Sequence, residues 1–260
     1  MFYDNVTILL QGILHKDINL ADTLNVYTKI CNVILSVYIT DLDEVLKICK
    51  SFPTVIIVEN DIEEYENISL TINKEIIRLP LNYIINGFFQ LCTTKKGLSI
   101  IHTEYVVKSR VDHFYSDLQK FIEYSLNINK ITILSVYTRG YKDRHYGSNY
   151  RLSFGDCLFM GKTNDIKLCV KLGYENRLLT HPERGLWKPY FEYIFNLKGI
   201  NISSVNDETY VQYMSELVDI YCINNIKTYK LKFRNGIKTY IEDTNKTTKE
   251  YLTFGCDSFS

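Results

Sequence analysis

The sequence predicts an α/β protein, with a mostly parallel sheet flanked by helices and a C-terminal extension of helix and strand. Two observations carry that prediction. In the first half, short apolar runs of strand length alternate with segments of near-helical periodicity, the pattern of parallel strands joined by helical crossovers. The apolar runs also tend to end in polar residues, as they do where a parallel sheet presents a binding edge. The 260 residues fit one large domain with a small appendage.

The elements follow in order. Val6 to Gln11 is an apolar run stopped by Gly12, a buried-strand signal. Residues 19–30 have apolar spacing near 3.6, and Asn32 to Tyr38 is a second strand. Asp41, with Glu44 three residues on, reads as a capping box opening a helix through Lys50. Pro53 breaks that helix before a third strand at 54–58, and 82–92 is a further helix closed near Gly97. Tyr105 to Asp112 is a strand with a polar end, followed by a helix at 115–124 and a strand at 131–134. Residues 137–150 are polar and Gly-containing and read as a functional loop. Beyond them come a strand at 154–161 with Asp156 near its start, and helices at 163–170, 182–197 and 206–221. An edge strand at 228–233 and a turn at 234–237 lead to a tail rich in Thr, Lys and Asn. The expected division is a main domain over 1–235 and a tail over 236–260, packed on it or loosely ordered.

Composition mainly excludes. Thirty Lys and Arg balance thirty Asp and Glu, which argues against a nucleic-acid binder, since duplex affinity comes from neutralising phosphates. The hydrophobic share of 46% excludes disorder as the main state. Ala21 is the sole alanine, while Ile, Asn and Tyr abound, which points to an A/T-rich genome rather than to a function. The seven cysteines are scattered with no CxxC pair and fit buried residues in a reducing compartment. With no basic leader and no apolar stretch of membrane-spanning length, the expectation is a cytosolic chain without a transmembrane segment. P-loop, dinucleotide and nucleophile-elbow motifs are missing, and His102, His113, His145 and His181 lack metal-ligand spacing.

The strand over 105–112 is the most informative segment. Lys108, Arg110 and Asp112 alternate along it and would share one face. Charges on a buried strand are costly unless they meet a ligand or each other. A diphosphate with a divalent cation would satisfy the set, Lys108 and Arg110 holding phosphate oxygens and Asp112 the metal. The competing reading is a structural Arg–Asp pair, and the pattern leaves the two even.

Five blocks in order resemble the WavE-type lipopolysaccharide-synthesis proteins: Gln11-Gly12-Ile13-Leu14, Ile34 to Tyr38, Tyr105 to Asp112, Phe154 to Gly161, and His181-Pro182-Glu183. The resemblance spans about residues 5–200 and implies a GT-A-like, Rossmann-like glycosyltransferase of bacteria or large DNA viruses. It implies a nucleotide-sugar donor, UDP- or GDP-linked, with Mn2+ or Mg2+ as the candidate metal, and a saccharide or lipid-linked glycan as acceptor. Carried over by position, Gln11, Gly12, Ser36 and Tyr38 would lie against the nucleotide, and Asp112 at the diphosphate. Asn82 would stand in for a Gln that the family usually carries before the Lys-x-Arg-x-Asp strand. Arg110-Val111-Asp112 occupies the place of the usual Asp-x-Asp and offers one carboxylate, so Arg110 could neutralise the diphosphate directly. Asp156 would be the general base, with Glu183 its rival, although an acid in the first turn of a helix also simply favours that helix. Trp187, Tyr190, Phe191 and Tyr193 could stack on sugars, but at helical spacing they are more often core. The other functional class is a non-catalytic protein that keeps the fold as a sugar-, nucleotide- or protein-binding module.

Overall fold

The computed structural model describes residues 1–15, 18–61, 71–72, 81–136, 138, 154–176, 178–179, 182–202, 204–222, 229–233, 236–238 and 247–254. In chain order the elements are β1 (Tyr3–Gly12), α1 (Leu20–Tyr27), β2 (Cys31–Tyr38), α2 (Leu42–Cys49), β3 (Ile56–Asn60), β4 (Thr71–Ile72) and α3 (Leu81–Ser99). Then come β5 (Tyr105–Arg110), β6 (His113–Tyr115), α4 (Leu118–Asn127), β7 (Ile131–Leu134), β8 (Leu158–Lys162), α5 (Thr163–Asn176), β9 (Leu178–Leu179) and α6 (Pro182–Leu197). The chain continues with α7 (Asp207–Leu217), β10 (Val218–Tyr221), β11 (Tyr229–Phe233), β12 (Gly236–Lys238) and α8 (Thr248–Phe254).

The main sheet has seven strands in the order β10-β7-β8-β5-β1-β2-β3. β1 is parallel to β2 and β5, β2 to β3, and β7 to β10; β8 alone runs antiparallel, between β5 and β7. The predicted class, a mostly parallel α/β sheet flanked by helices, is the one observed. Alternation along the strands sends successive side chains to opposite faces. Ile8 and Leu10 join Val33, Leu35 and Val107 on the face covered by Leu24, Val45 and Phe121 of α1, α2 and α4. Leu9, Ile34, Val106 and Phe159 join Leu91, Ile166, Trp187 and Met214 of α3, α5, α6 and α7 on the other. Burial on both faces explains why β1 and β2 read as continuous apolar runs rather than alternating ones.

Several boundaries differ from the sequence reading. The segment 206–221 is not one helix: α7 stops at Leu217, and Val218–Tyr221 forms β10, paired with Ile131–Leu134. β-branched Val218 and Ile220 follow the helix without a turn residue, so pairing with β7 sets the switch and periodicity does not reveal it. α3 runs past Gly97 to Ser99; Gly97 lets the helix lie on the sheet, where an added Cβ would come within 2.5 Å of Leu9 Cδ1. Asp41 makes no cap bond to α2; its Oδ2 accepts from the Leu14 amide at 2.8 Å and ties together the loops after β1 and β2. The strand read at 105–112 ends at Arg110, and the one read at 154–161 starts only at Leu158. Within the segment read as an edge strand, Tyr229–Phe233 supplies the middle strand of a three-stranded sheet, β12-β11-β6.

The last described helix, α8, buries Tyr251 and Leu252 in the second core, and Thr248 Oγ1 donates to Asp219 of β10 at 2.5 Å. Six cysteines are buried and unbridged, as small apolar residues, and burial pushes the Cys31 and Cys92 thiols up to about 12. No described helix is long and apolar enough to cross a membrane. The polar loop at 137–150 lies outside the described residues apart from Thr138.

Candidate functional site

The carboxyl ends of β1, β2 and β5 lie side by side, because Gln11 is in register with both Ser36 and Arg110. Gly12 follows with φ +117, a backbone conformation that side-chain-bearing residues rarely adopt, so a glycine is required where β1 turns away from the sheet. Ile13, just beyond, is exposed.

Beneath these ends, on the face covered by α3, runs a buried polar seam. Thr93 Oγ1 donates to Gln11 Oε1 at 2.8 Å, and Ser36 Oγ donates to the Thr93 carbonyl at 2.7 Å. Asn60 Nδ2 donates to Ser36 Oγ at 3.0 Å and also to the Val37 carbonyl. Gln11 and Ser36, expected against a nucleotide, are thus buried and bonded to α3 or to each other's neighbours, while Gln11 Nε2 is buried without a hydrogen-bond partner among the described residues. Tyr38, at the end of β2, is buried as well.

Lys108 points to the same face. Its side chain is buried, its Nζ donates to the Asp156 main-chain carbonyl, and it stands 5.4 Å from the centre of the Phe159 ring. Burial shifts its pKa down from the ordinary lysine value, opposed chiefly by the nearby Asp156 charge. A small pocket at the lysine, shared with Gln90, Thr94 and Asp156, has room for about one water molecule.

Arg110 and Asp112 form the charged part of the site. Arg110 Nε and Nη2 donate to Asp112 Oδ1 and Oδ2 at 2.8 and 2.7 Å, a bidentate pair made possible because Val111 and Asp112 turn out of the strand. The Arg110 side chain keeps 27% exposure and that of Asp112 14%. Burial alone would raise the Asp112 pKa, but the guanidinium charge and its hydrogen bonds hold the carboxyl far below the usual range. His113 Nε2 lies 3.8 Å from Asp112 Oδ1, and its ring Nδ1 is 3.3 Å from the Tyr115 hydroxyl. Burial lowers the His113 pKa to about 3 against the pull of Asp112, so the ring is neutral at physiological pH. β6, which carries His113, is paired antiparallel with β11 of the C-terminal part, Leu231 lying opposite His113.

Asp156 is buried, in the bend before β8. The Cys157 thiol reaches its Oδ1 at 3.8 Å. Gly155 permits the bend: a Cβ there would lie 2.1 Å from the Val136 carbonyl oxygen. Lys108, Arg110, Asp112 and Asp156 therefore meet at one end of the sheet. Asn82 and Glu183 are each the second residue of a helix, α3 and α6, and their side chains lie outside the described residues. Of the aromatic residues considered for sugar stacking, Trp187, Tyr190 and Phe191 are core and Tyr193 is exposed.

As for a divalent cation, both oxygens of Asp112 are engaged by Arg110, and no group of three or more His, Cys, Asp or Glu residues that could hold a metal occurs among the described residues. The donor set fits a protein-held metal poorly. Sequence reasoning passed over Gln90 and Thr93, and considered His113 only as lacking metal-ligand spacing. Gln90 and Thr93 are polar residues within an apolar helix, and that signal gains meaning only once α3 is laid on the strands.

No family model and no curated protein matches the chain. Solved structures with a partial likeness include 4-diphosphocytidyl-2C-methyl-D-erythritol synthase from Anaerococcus prevotii, 12% identical, with 84% of this chain and 89% of that one covered and a TM-score of 0.44. HddC from Yersinia pseudotuberculosis, solved alone and complexed with GMP-PN, is 16% identical over 64% of this chain and 79% of its own, with a TM-score of 0.37. The galactosyltransferase LgtC, in complex with donor and acceptor sugar analogs, is 12% identical over 73% and 70%, with a TM-score of 0.41. At these scores the likenesses carry no argument about the site.

Proposed function

We propose that the chain is a GT-A-like glycosyltransferase of WavE type, moving a sugar from a UDP- or GDP-linked donor to a saccharide or lipid-linked acceptor in surface-glycan synthesis. The observation that carries the reading is the Arg110 guanidinium, partly exposed at the carboxyl end of a central parallel strand, with the Asp156 bend beside that strand. In this reading Arg110 faces the donor diphosphate, Tyr38 and the Gly12 turn border the nucleoside, and Gln11 and Ser36 form the floor beneath. Asn82, the second residue of α3, is the further candidate for the donor site. Asp112 holds Arg110 in place, with both of its oxygens taken up by the guanidinium.

The chemistry follows from those positions. The acceptor hydroxyl attacks the anomeric carbon of the donor sugar, and the bond from that carbon to the diphosphate oxygen breaks. The hydroxyl proton passes to the Asp156 carboxylate, or to Glu183 in the rival assignment. Such base catalysis contributes roughly 10²–10⁴-fold in rate. Arg110 stabilises the negative charge gathering on the departing diphosphate.

The test is donor turnover. Incubation with UDP- and GDP-sugars, with and without Mn2+, releases nucleoside diphosphate if the reading is right. No release from any donor, and no thermal shift with UDP or GDP, removes it. Asp156→Asn keeps nucleotide binding and loses transfer; if transfer survives and Glu183→Gln abolishes it, the base is Glu183. A second reading, a non-catalytic binding module, draws on the internal satisfaction of Arg110 by Asp112, of Ser36 by α3 and of Gln11 Oε1 by Thr93. It predicts nucleotide or sugar binding without turnover.

A further inference from the structure

We infer that Lys108 is a positioning residue, whose ammonium clamps the bend at Asp156 through the main chain and so sets where the Asp156 carboxylate stands relative to Arg110. The inference rests on the transfer reading above and deepens it. Sequence alternation suggested that Lys108 would bind phosphate beside Arg110, but the surroundings of its Nζ point elsewhere.

Three observations meet at this lysine. Its ammonium donates to the Asp156 carbonyl oxygen, a main-chain atom, which leaves the Asp156 carboxylate available for other work. Among the described residues, the pocket at the ammonium has room for about one water molecule. On the far side of the bend, Gly155 lies so close to the Val136 carbonyl that a Cβ would be 2.1 Å from that oxygen. The bend is therefore packed against Val136, just past the end of β7, and bonded by Lys108 of β5. Asp156 itself precedes β8, whose pairing with β5 begins at Leu158.

The energetic sign agrees with this role. Burying an ammonium at 2% exposure costs stability, only part of which the carbonyl acceptor and the nearby Asp156 charge return. Lys108 therefore contributes geometry at this position, and replacing it with methionine separates geometry from stability.

The test compares wild type, Lys108→Met and Lys108→Gln, the last retaining a donor in case the apolar variant packs badly. Three quantities are read: amide hydrogen exchange over 154–158, the thermal midpoint, and kcat and donor KM for transfer. In Lys108→Met the midpoint holds or rises. Exchange over 154–158 speeds at least about tenfold while that of β2 stays unchanged. The kcat falls about ten- to a hundredfold with donor KM within about twofold, as expected when a reacting group is misplaced by an ångström or less. Lys108→Gln falls between wild type and Lys108→Met in both exchange and kcat. Unchanged exchange at 154–158 in the folded variants overturns the clamp. A donor KM that rises tenfold with kcat held also overturns it, because Lys108 would then act on the donor. If the wild type neither binds nor turns over a donor, the transfer reading falls, and the exchange result alone decides whether the clamp exists.

Discussion

Replacing Asp112 by asparagine tests the pair at the centre of the site. The carboxylate accepts two charge-assisted hydrogen bonds from Arg110, at 2.8 and 2.7 Å. An amide oxygen can keep one of them, but the second guanidinium nitrogen then faces an NH2 group, and the attraction of opposite charges is lost. Hydrogen bonds to charged groups contribute about 1.5–3 kcal/mol each. Arg110 is 27% exposed, so solvent makes good part of the loss, and a net cost of about 2 kcal/mol is expected. At about 2–4 °C per kcal/mol for a chain of this size, the thermal midpoint should fall by about 4–8 °C. The pH dependence supplies a second check. The folded Asp112 pKa is depressed, so its stabilisation is fully present above the unfolded value of about 3.8 and disappears as the carboxyl protonates below it. The gap between wild type and variant should stay level from neutral pH down to about 5 and then close in stronger acid. Thermal unfolding followed by circular dichroism across that range measures it. A variant within a degree of wild type at neutral pH would show that Arg110 is not held by Asp112 and that the site's charge arrangement is misread.

Further predictions concern neighbouring groups. His113 is buried neutral with its pKa lowered to about 3, so wild type loses stability as pH falls from about 6.5 toward 3, and His113→Gln flattens that part of the acid-unfolding curve. An unchanged slope would mean that the ring is solvated in the fold. Gly155→Ala forces a Cβ against the Val136 carbonyl and should cost about 1–3 kcal/mol while lowering transfer more than nucleotide binding, read by unfolding midpoints and steady-state kinetics. Equal losses of binding and transfer would mean that the bend supports the whole site rather than Asp156.

The sequence announced the central strands because β1 and β2 are buried on both faces and so read as unbroken apolar runs. It also located the Lys108–Asp112 segment, since charges seldom sit on such a strand. Periodicity did not reveal that these charges divide: Lys108 goes to the buried face under α3, while Asp112 leaves the strand and returns to Arg110 through a turn. Alternation holds only while the strand lasts, and β5 ends at Arg110. The roles of Gln11 and Ser36 were hidden for a related reason. Their partners, Thr93 and Asn60, are 82 and 24 residues distant in the chain, and only the packing of α3 and the pairing of β3 bring them together. β10 escaped notice because a four-residue strand with no turn before it is indistinguishable from the last turn of α7 until β7 is beside it.

The central claim is that Arg110 meets the diphosphate of a nucleotide donor. Calorimetric titration of UDP and GDP into wild type and Arg110→Met, with EDTA and with Mn2+, tests it most directly. The account predicts saturable binding of one nucleotide in EDTA and a loss of at least about tenfold in affinity in the variant, the scale of one charge-assisted contact. Binding of equal strength in both proteins, or binding that requires Mn2+ and is indifferent to Arg110, would contradict it.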